Sequence, residues 1–258
     1  MAALDGSSGT RHIDAGDGTP ESTWLGWPAL HFLPRISIDE LLPAGSRAVV
    51  VAPHPDDEVL SVGGLLAELA RREHAVCVVA VTDGEASHPG SDMWSPQSLA
   101  TLRRNETQTA LDRLGLASCA LLRLGMPDGG VAAASDELAR QLAACLTPAD
   151  VVFSTWRLDG HPDHEATAIA CAAAVHSVGA RLVEVPVWAW HWARPADPRL
   201  PWDRARRLDL SPRVQEHKRH AVQAFRSQLE PDPSTGAAAI LRDSTVARAA
   251  RPFEVMFL

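Results

Sequence analysis

Two short stretches of this sequence bring histidine and aspartate together at spacings that can hold a metal ion. The first is His54-Pro55-Asp56-Asp57-Glu58; the second is His161-Pro162-Asp163-His164-Glu165. His54 and Asp57 are three residues apart, so if Asp57 opens a helix both side chains can reach one divalent ion. Asp56, between them, would stay free for proton transfer beside that ion. His164 or His161 would complete the coordination. Two histidines, one carboxylate and an open fourth position form the donor pattern of a catalytic rather than a structural zinc site. The competing reading is a plain acidic helix start, because carboxylates are stabilised near the positive end of a helix dipole.

Each motif needs a strand to present it. Residues 48–52 and 151–155 are short apolar runs that end at the two motifs, and a helical pattern follows each. The two sites are thus expected to be built alike. Parallel strands joined by crossover helices would set their carboxyl ends side by side, where open α/β sheets bind ligands. The alternation continues with strands over 75–81 and 119–124 and helices over 65–72, 99–114, 135–146, 166–175 and 212–225. The expected fold class is therefore α/β, a Rossmann-like, mostly parallel sheet with helices on both faces. Residues 182–192 read as a further strand, with Pro186 at an edge or bulge. That would place Trp188, Trp190 and Trp192 on one face, either building core or stacking on a sugar or aromatic substrate. Residues 253–258 read as a closing strand.

The motifs together carry a resemblance. Ala52-Pro53-His54-Pro55-Asp56-Asp57-Glu58 with His161-Pro162-Asp163-His164 resembles the LmbE-like, PIG-L-type family of metal-dependent N-deacetylases. Thr82-Asp83-Gly84-Glu85, the run from Arg103 to Glu106, Pro127-Asp128-Gly129 and Ser227-Gln228, preceded by Lys218, follow in the family's order across residues 46–258. Under this resemblance His54, Asp57 and His164 bind the metal, zinc or else ferrous iron, and Asp56 is the general base. His161 would stabilise the oxyanion, with Asp163 holding its ring and keeping it protonated. Arg103 and Asp128 are implied contacts to substrate hydroxyls, although an Arg103–Glu106 pair is equally an ordinary helix-surface ion pair. Some relatives carry Tyr two residues before the first histidine of the second motif; this chain has Asp159 there and no Tyr at all. Asp159 is expected to make the pocket more acidic and to favour a cationic or hydroxyl-rich substrate. Glu58 and Glu165 read as first-turn helix acids.

Bulk properties bound the function. A chain of 258 residues, 46% hydrophobic, can bury one sizeable core, so one domain over 23–258 is expected, preceded by a flexible extension over 1–22. Residues 23–42, with Trp24, Trp27 and Phe32, are too apolar to stay in water and should pack on that domain. The net charge of −8, from 24 basic and 32 acidic residues without a basic block, argues against a nucleic-acid partner. No membrane span or signal peptide is visible, so a cytoplasmic location is expected. Cys77, Cys119, Cys145 and Cys171 are spaced as isolated buried thiols. The polar loop up to Pro96, with His88 and Trp94, has the length of a lid.

The implied substrate is a small N-acylated molecule such as an amino-sugar conjugate; the oligomeric state stays open. An amidase acting on cysteine conjugates belongs to the same resemblance. A non-haem iron oxygenase would use the same two-histidine, one-carboxylate set, and a binding module could keep the fold without catalysis. A free Asp56 has a task in hydrolysis and none in either of those alternatives.

Overall fold

The computed structural model describes residues 11–13 and 16–258. Seven strands form one sheet: β1 (Arg47–Ala52), β2 (Val76–Thr82), β3 (Ala120–Met126), β4 (Asp150–Thr155), β5 (Arg181–Val185), β6 (Ala205–Asp209) and β7 (Phe253–Phe257). Their order is β3-β2-β1-β4-β5-β7-β6, parallel through β5, with β7 antiparallel to both β5 and β6. The helices are α1 (Glu21–Leu25), α2 (Pro28–His31), α3 (Ile38–Leu41), α4 (Asp57–Arg71), α5 (Pro96–Arg113), α6 (Ser135–Cys145), α7 (Pro162–Val178), α8 (Ala189–Trp192), α9 (Pro212–Val222), α10 (Arg226–Leu229) and α11 (Asp243–Ala249). None of these helices is long and apolar enough to cross a membrane.

The alternation of β1 explains the layers. Ala48 and Val50 face a cluster with Leu65, Leu66, Leu111 and Phe225, from α4, α5 and the turn between α9 and α10. Val49 and Val51 face the other way, onto Leu138, Leu142 and Cys171 of α6 and α7. Both faces of the parallel strands are covered, as their unbroken apolar runs require. From β1 the chain winds outward through β2 and β3, then returns to place β4 on β1's other side. The reversal makes the β1/β4 boundary the topological switch point, and both histidine motifs leave the sheet there.

Local chemistry sets the helix starts. Ser95 and Ser211 cap α5 and α9, each with proline at the first helical position, so α5 begins at Pro96, earlier than the apolar pattern suggests. Likewise α7 begins at Pro162, earlier than the apolar pattern over 166–175 suggests, which places Asp163 and His164 inside its first turn. Gly179, in the left-handed region, ends it. Helix α4 is broken at Val62 (φ −131°), and the freed donors find one buried carboxylate: Gly64 and Leu65 N–H donate to Glu254 at 2.6 and 2.9 Å. Lys218 closes the arrangement on Glu254 Oε1 at 2.7 Å and on the Leu60 carbonyl at 3.1 Å.

Two expectations are corrected. Residues 182–192 are not one strand: β5 stops at Val185, and α8 follows after Pro186. Proline cannot continue the ladder, and the carboxylate of Asp159 accepts from the amides of Val187, Trp188 and Ala189, each at 2.9 Å, folding the chain into a turn. The tryptophans therefore do not share a face. Trp190 packs edge-on against fully buried Trp24 at 4.9 Å, Trp192 stacks on Trp156, and Trp188 reaches a cleft. Second, β6 escapes the sequence pattern, because Arg206 and Arg207 give an edge strand too polar to read as core.

The segment 23–42 does pack on the domain, through Trp24 and Leu30 in a third apolar cluster with Trp190 and Phe257. Of the stretch expected to be flexible, residues 1–10, 14 and 15 lie outside the described residues. Residues 17–21 are held: Thr19 N–H donates to His191 O at 2.8 Å, and buried Glu21 forms a two-pronged pair with Arg251 at 2.6 and 2.7 Å.

Candidate active site

The ends of β1 and β4 meet over a cleft of about 330 Å³ lined by His54, Asp56, Asp57, Arg103, Asp128 and His161, among others. Its floor is organised by one oxygen. Asp57 Oδ2 accepts the His54 amide at 3.0 Å and lies 3.2 Å from His54 Nδ1 and 3.1 Å from His164 Nε2. Ligand atoms at the corners of a tetrahedral zinc site, with bonds of about 2.0–2.2 Å, stand roughly 3.3 Å apart, and each of the two imidazoles stands at about that spacing from this carboxylate oxygen. His164 Nε2 is fully buried and makes no hydrogen bond of good geometry among the described residues. An orphaned imidazole nitrogen beside a carboxylate oxygen is what a bound cation would satisfy, and the donor set fits a divalent metal. The three rings of His54, His161 and His164 also bring a nitrogen each to within 4.8 Å of one another.

Behind these atoms two further carboxylates, Asp159 and Asp163, are engaged. Asp159, fully buried, accepts from His164 Nδ1 at 2.8 Å, which fixes the ring so that Nε2 is the nitrogen that would give up its proton and turn a lone pair to an ion beside Asp57. It therefore does not acidify the pocket, contrary to the expectation drawn from sequence; it orients His164 and folds the turn after β5. His54 Nε2 lies 3.2 Å from both Asp128 Oδ1 and Asp163 Oδ2. Burial opposes charge on both histidines, but these carboxylates win: His54 is held well above its usual pKa, and His164 is raised to about 9 by Asp57 and Asp159. Burial pushes Asp57 up and the two imidazoles more than offset it, holding the carboxyl well below its usual range.

Asp56 is the exception. It sits at φ 123° and ψ −30°, a conformation that side chains strain to adopt, and no side chain caps the helix start it occupies. Burial lifts its carboxyl to about 7, against the pull of Arg103, whose Nη2 stands 3.3 Å away. A carboxylate that titrates near neutrality beside a metal-type donor set is tuned for general-base work. Arg103 also donates to the carbonyls of Gly84 at 3.0 Å and Pro55 at 2.6 Å. Gly84 lies at φ +68°, and a Cβ there would stand 2.0 Å from Arg103 Nη1, which explains glycine in the Thr82-Asp83-Gly84-Glu85 motif. Glu106 is bound to Ser227, not to Arg103, through contacts of 2.7 Å to its amide and hydroxyl. Glu58 is a first-turn acid of α4, as expected, but a buried one: it accepts the Asp56 amide at 3.1 Å, and burial raises it to about 8.

The expected His161–Asp163 couple is corrected. Asp163 turns its carboxylate to His54 and to the amides of Gly129 (2.8 Å) and Val131 (3.2 Å), while its own N–H donates to His161 Nδ1 at 3.2 Å. With Nδ1 accepting, the proton of a neutral ring sits on Nε2. Burial, with the charges of His164 and His54, pushes His161 down to about 4. His161 is thus a neutral donor at the amino end of α7, and such a ring can still polarise a carbonyl. Asp128 keeps its place in the cleft, but its oxygens are occupied by His54 and by the Ala86 amide at 2.8 Å. The loop with His88 and Trp94 contributes only Ala86 and Ser87 to the lining; Trp94 faces another groove.

The far wall comes from parts of the chain without a readable motif: Trp188, Ile240, Leu241, Thr245 and Arg248. Gln228, of the Ser227-Gln228 pair, joins them.

Residues 49–175 match the family model described as PIG-L, GlcNAc-PI de-N-acetylase. The probable N-acetyl-alpha-D-glucosaminyl L-malate deacetylase 2 of Bacillus anthracis is 31% identical over 141 residues, 51% of this chain and 60% of that protein. The 1D-myo-inositol 2-acetamido-2-deoxy-alpha-D-glucopyranoside deacetylase of Corynebacterium efficiens is 36% identical over 84 residues, 30% of this chain and 27% of that one. The chain thus spans under two thirds of the length of these curated relatives. Among solved structures, the A40926 pseudoaglycone deacetylase superposes with a TM-score of 0.59 at 26% identity, covering 82% of this chain and 96% of that one. The segment matched by the family model runs from β1 into α7 and contains both histidine motifs, and it is this segment that is of the PIG-L, LmbE-like N-deacetylase type.

Proposed function

We propose that this protein is a metal-dependent hydrolase that removes an N-acyl group, acetyl in the simplest case, from an amino-sugar conjugate. The observation that carries the reading is the approach of His54 and His164 to one oxygen of Asp57, with Asp56, held by Arg103, beside them in a cleft of about 330 Å³. Relatives whose names specify N-acetylglucosaminyl and acetamido-glucopyranoside substrates support the substrate class. His54, Asp57 and His164 would hold the ion, zinc by donor type. When bound, it supplies a Lewis acid for the acyl carbonyl and acidifies water.

The remaining work falls to the chain. Asp56, ionised near neutral pH, takes the proton of the attacking water and delivers it to the departing amine. Arg103 holds that carboxylate in place, and the strained backbone at Asp56 directs it into the cleft rather than along α4. His161 donates from Nε2 to the acyl oxygen as it becomes an oxyanion. Asp159 and Asp163 fix the ring orientations on which this geometry depends. The buried Asp56, with its own partner and a pKa near neutrality, favours hydrolysis over oxygen chemistry.

The test is acetate release from N-acetylglucosaminides, with cysteine-conjugate amides as a parallel panel, before and after chelation and after zinc is restored. Acetate release that chelation abolishes and zinc restores is the expected result. Intact amides throughout, with zinc bound in stoichiometric amount, would overturn the reading.

A further inference from the structure

The cleft is finished at one end and unfinished at the other. Around His54 each carboxylate has partners; on the opposite wall, α11 presents Thr245 and Arg248, three residues apart and so on one helix face. Both residues are 8% exposed, and Thr245 Oγ1 and Arg248 Nε are buried atoms with no hydrogen-bond partner among the described residues. Arg248 makes one hydrogen bond, from Nη2 to the Thr19 carbonyl at 3.2 Å. Its nearest carboxylate, Glu21, stands 3.8 Å away and is already gripped by Arg251 at 2.6 and 2.7 Å. Native interiors rarely leave such donors unmade.

A second, smaller cavity of about 40 Å³ adjoins the cleft and shares Leu60, Val187, Thr245 and Arg248 with it. Its other charged lining is Lys218, Arg251 and Glu254. Lys218 is committed to Glu254, while Arg248 and Arg251 share the single carboxylate of Glu21, which lies nearer Arg251, so this pair of guanidiniums carries one positive charge in excess.

We infer that Thr245 and Arg248 form an anion subsite and that the substrate carries a carboxylate on the group attached to its amino sugar. A guanidinium Nε–H beside a free hydroxyl offers two donors to two carboxylate oxygens, and a cavity of this size suits so small a group. Burial and the neighbouring Arg251 lower the Arg248 guanidinium to about 10, a penalty that a bound anion relieves. The preference expected from Asp159 is reversed, because Asp159 faces away from the substrate. For its substrate the inference rests on the deacetylase reading; for the binding of an anion it does not.

Three probes separate the two: the N-acetylglucosaminide of glycolic acid, its glycolamide counterpart, and a matching glycoside ending in a phosphate monoester. Turnover is measured on the zinc-loaded enzyme, and binding of the deacetylated glycosides is measured by calorimetry on metal-free protein. The wild type is expected to favour acid over amide by about 10- to 100-fold in kcat/KM and in affinity, the range of a charge-assisted hydrogen bond. Arg248→Gln should collapse that ratio to near one, Arg248→Lys should retain part of it, and Thr245→Val should reduce it several-fold. Acid and amide handled alike by the wild type would overturn the subsite, even if Arg248→Gln fails to fold; so would a preference that survives in Arg248→Gln. A phosphate monoester favoured over the carboxylate through Arg248 would overturn the carboxylate assignment. Arg248-dependent binding of the acid without any hydrolysis would uphold the subsite and remove the deacetylase reading; equal hydrolysis of acid and amide would do the reverse.

Discussion

The two histidine motifs, alike in sequence, start their helices in opposite ways. At the end of β4 the chain enters α7 conventionally, with His161 as cap at φ −94°, Pro162 at the first helical position and acids in the first turn. At the end of β1, Asp56 occupies the cap position at φ 123°, no side chain caps the helix, and the helix breaks again at Val62. The relaxed start carries the buried imidazole of His164 and a neutral donor; the strained one carries the group with the near-neutral pKa. Of the two helix starts, the strained one is where the proposed chemistry moves a proton, and the orienting groups sit on the unstrained one.

The sharpest way to break this contrast is to remove the proton acceptor. Asp56→Asn should lower kcat by about 100- to 10,000-fold with little change in zinc content, measured by steady-state acetate release and metal analysis. Near-native turnover would mean that the strained position is not the base and that the contrast between the helix starts has no catalytic meaning. On the relaxed side, His161→Ala should cost about 100-fold or more in kcat, the scale of one lost oxyanion donor. Because His161 is neutral, the activity should not require its protonation: the pH profile of kcat/KM should lack an alkaline limb that His161→Ala removes.

How much of this could be read from residues follows the same division. Strands β1 to β4 and β7 and both motifs were legible because apolar runs, prolines and histidines are local signals. The His54, Asp57 and His164 grouping was legible because a parallel sheet leaves little choice about which strand ends adjoin. What Asp163 does was not, because the direction of its carboxylate depends on amides of the β3–α6 connection, far away in sequence. Asp159 misled for the same reason: its charge is visible in the sequence, but its three amide partners lie 28–30 residues later. The far wall with Thr245 and Arg248 carries no pattern that periodicity could detect. The tryptophan stripe failed because one proline and one buried carboxylate outweighed an apolar run.

The hidden role of Asp159 gives a smaller, separable effect. Asp159→Asn keeps one acceptor oxygen for the Val187 and Ala189 amides but turns an NH2 toward His164 Nδ1 and the Trp188 amide, and zinc affinity should fall about 10- to 100-fold. Competition with a chromophoric chelator measures it. Affinity in the wild type should also rise with pH between about 6 and 9. The metal-free protein keeps His54 and His164 protonated, with His164 titrating at about 9, and an ion must displace both protons. Metal uptake that is independent of pH over that window would place the ion elsewhere.

The smallest expected effect tests the strain itself. Asp56→Ala and Asp56→Gly both delete the carboxylate and both leave Arg103 with only the Gly84 and Pro55 carbonyls, so their difference isolates the backbone. Glycine loses more freedom on folding, by about 0.5–1 kcal/mol, whereas a side chain at φ 123° costs about 1–3 kcal/mol. The glycine variant should therefore be the more stable of the two by roughly 1 kcal/mol in urea unfolding. At Glu165, inside the first turns of α7, the same pair of substitutions should run the other way, alanine ahead by about 1 kcal/mol, because there the backbone is ordinary helix. Opposite signs at the two helix starts are the signature of strain confined to one of them. The same sign at both would show that the β1 turn is relaxed, and that the pKa of Asp56 is set by burial and its neighbours without help from the backbone.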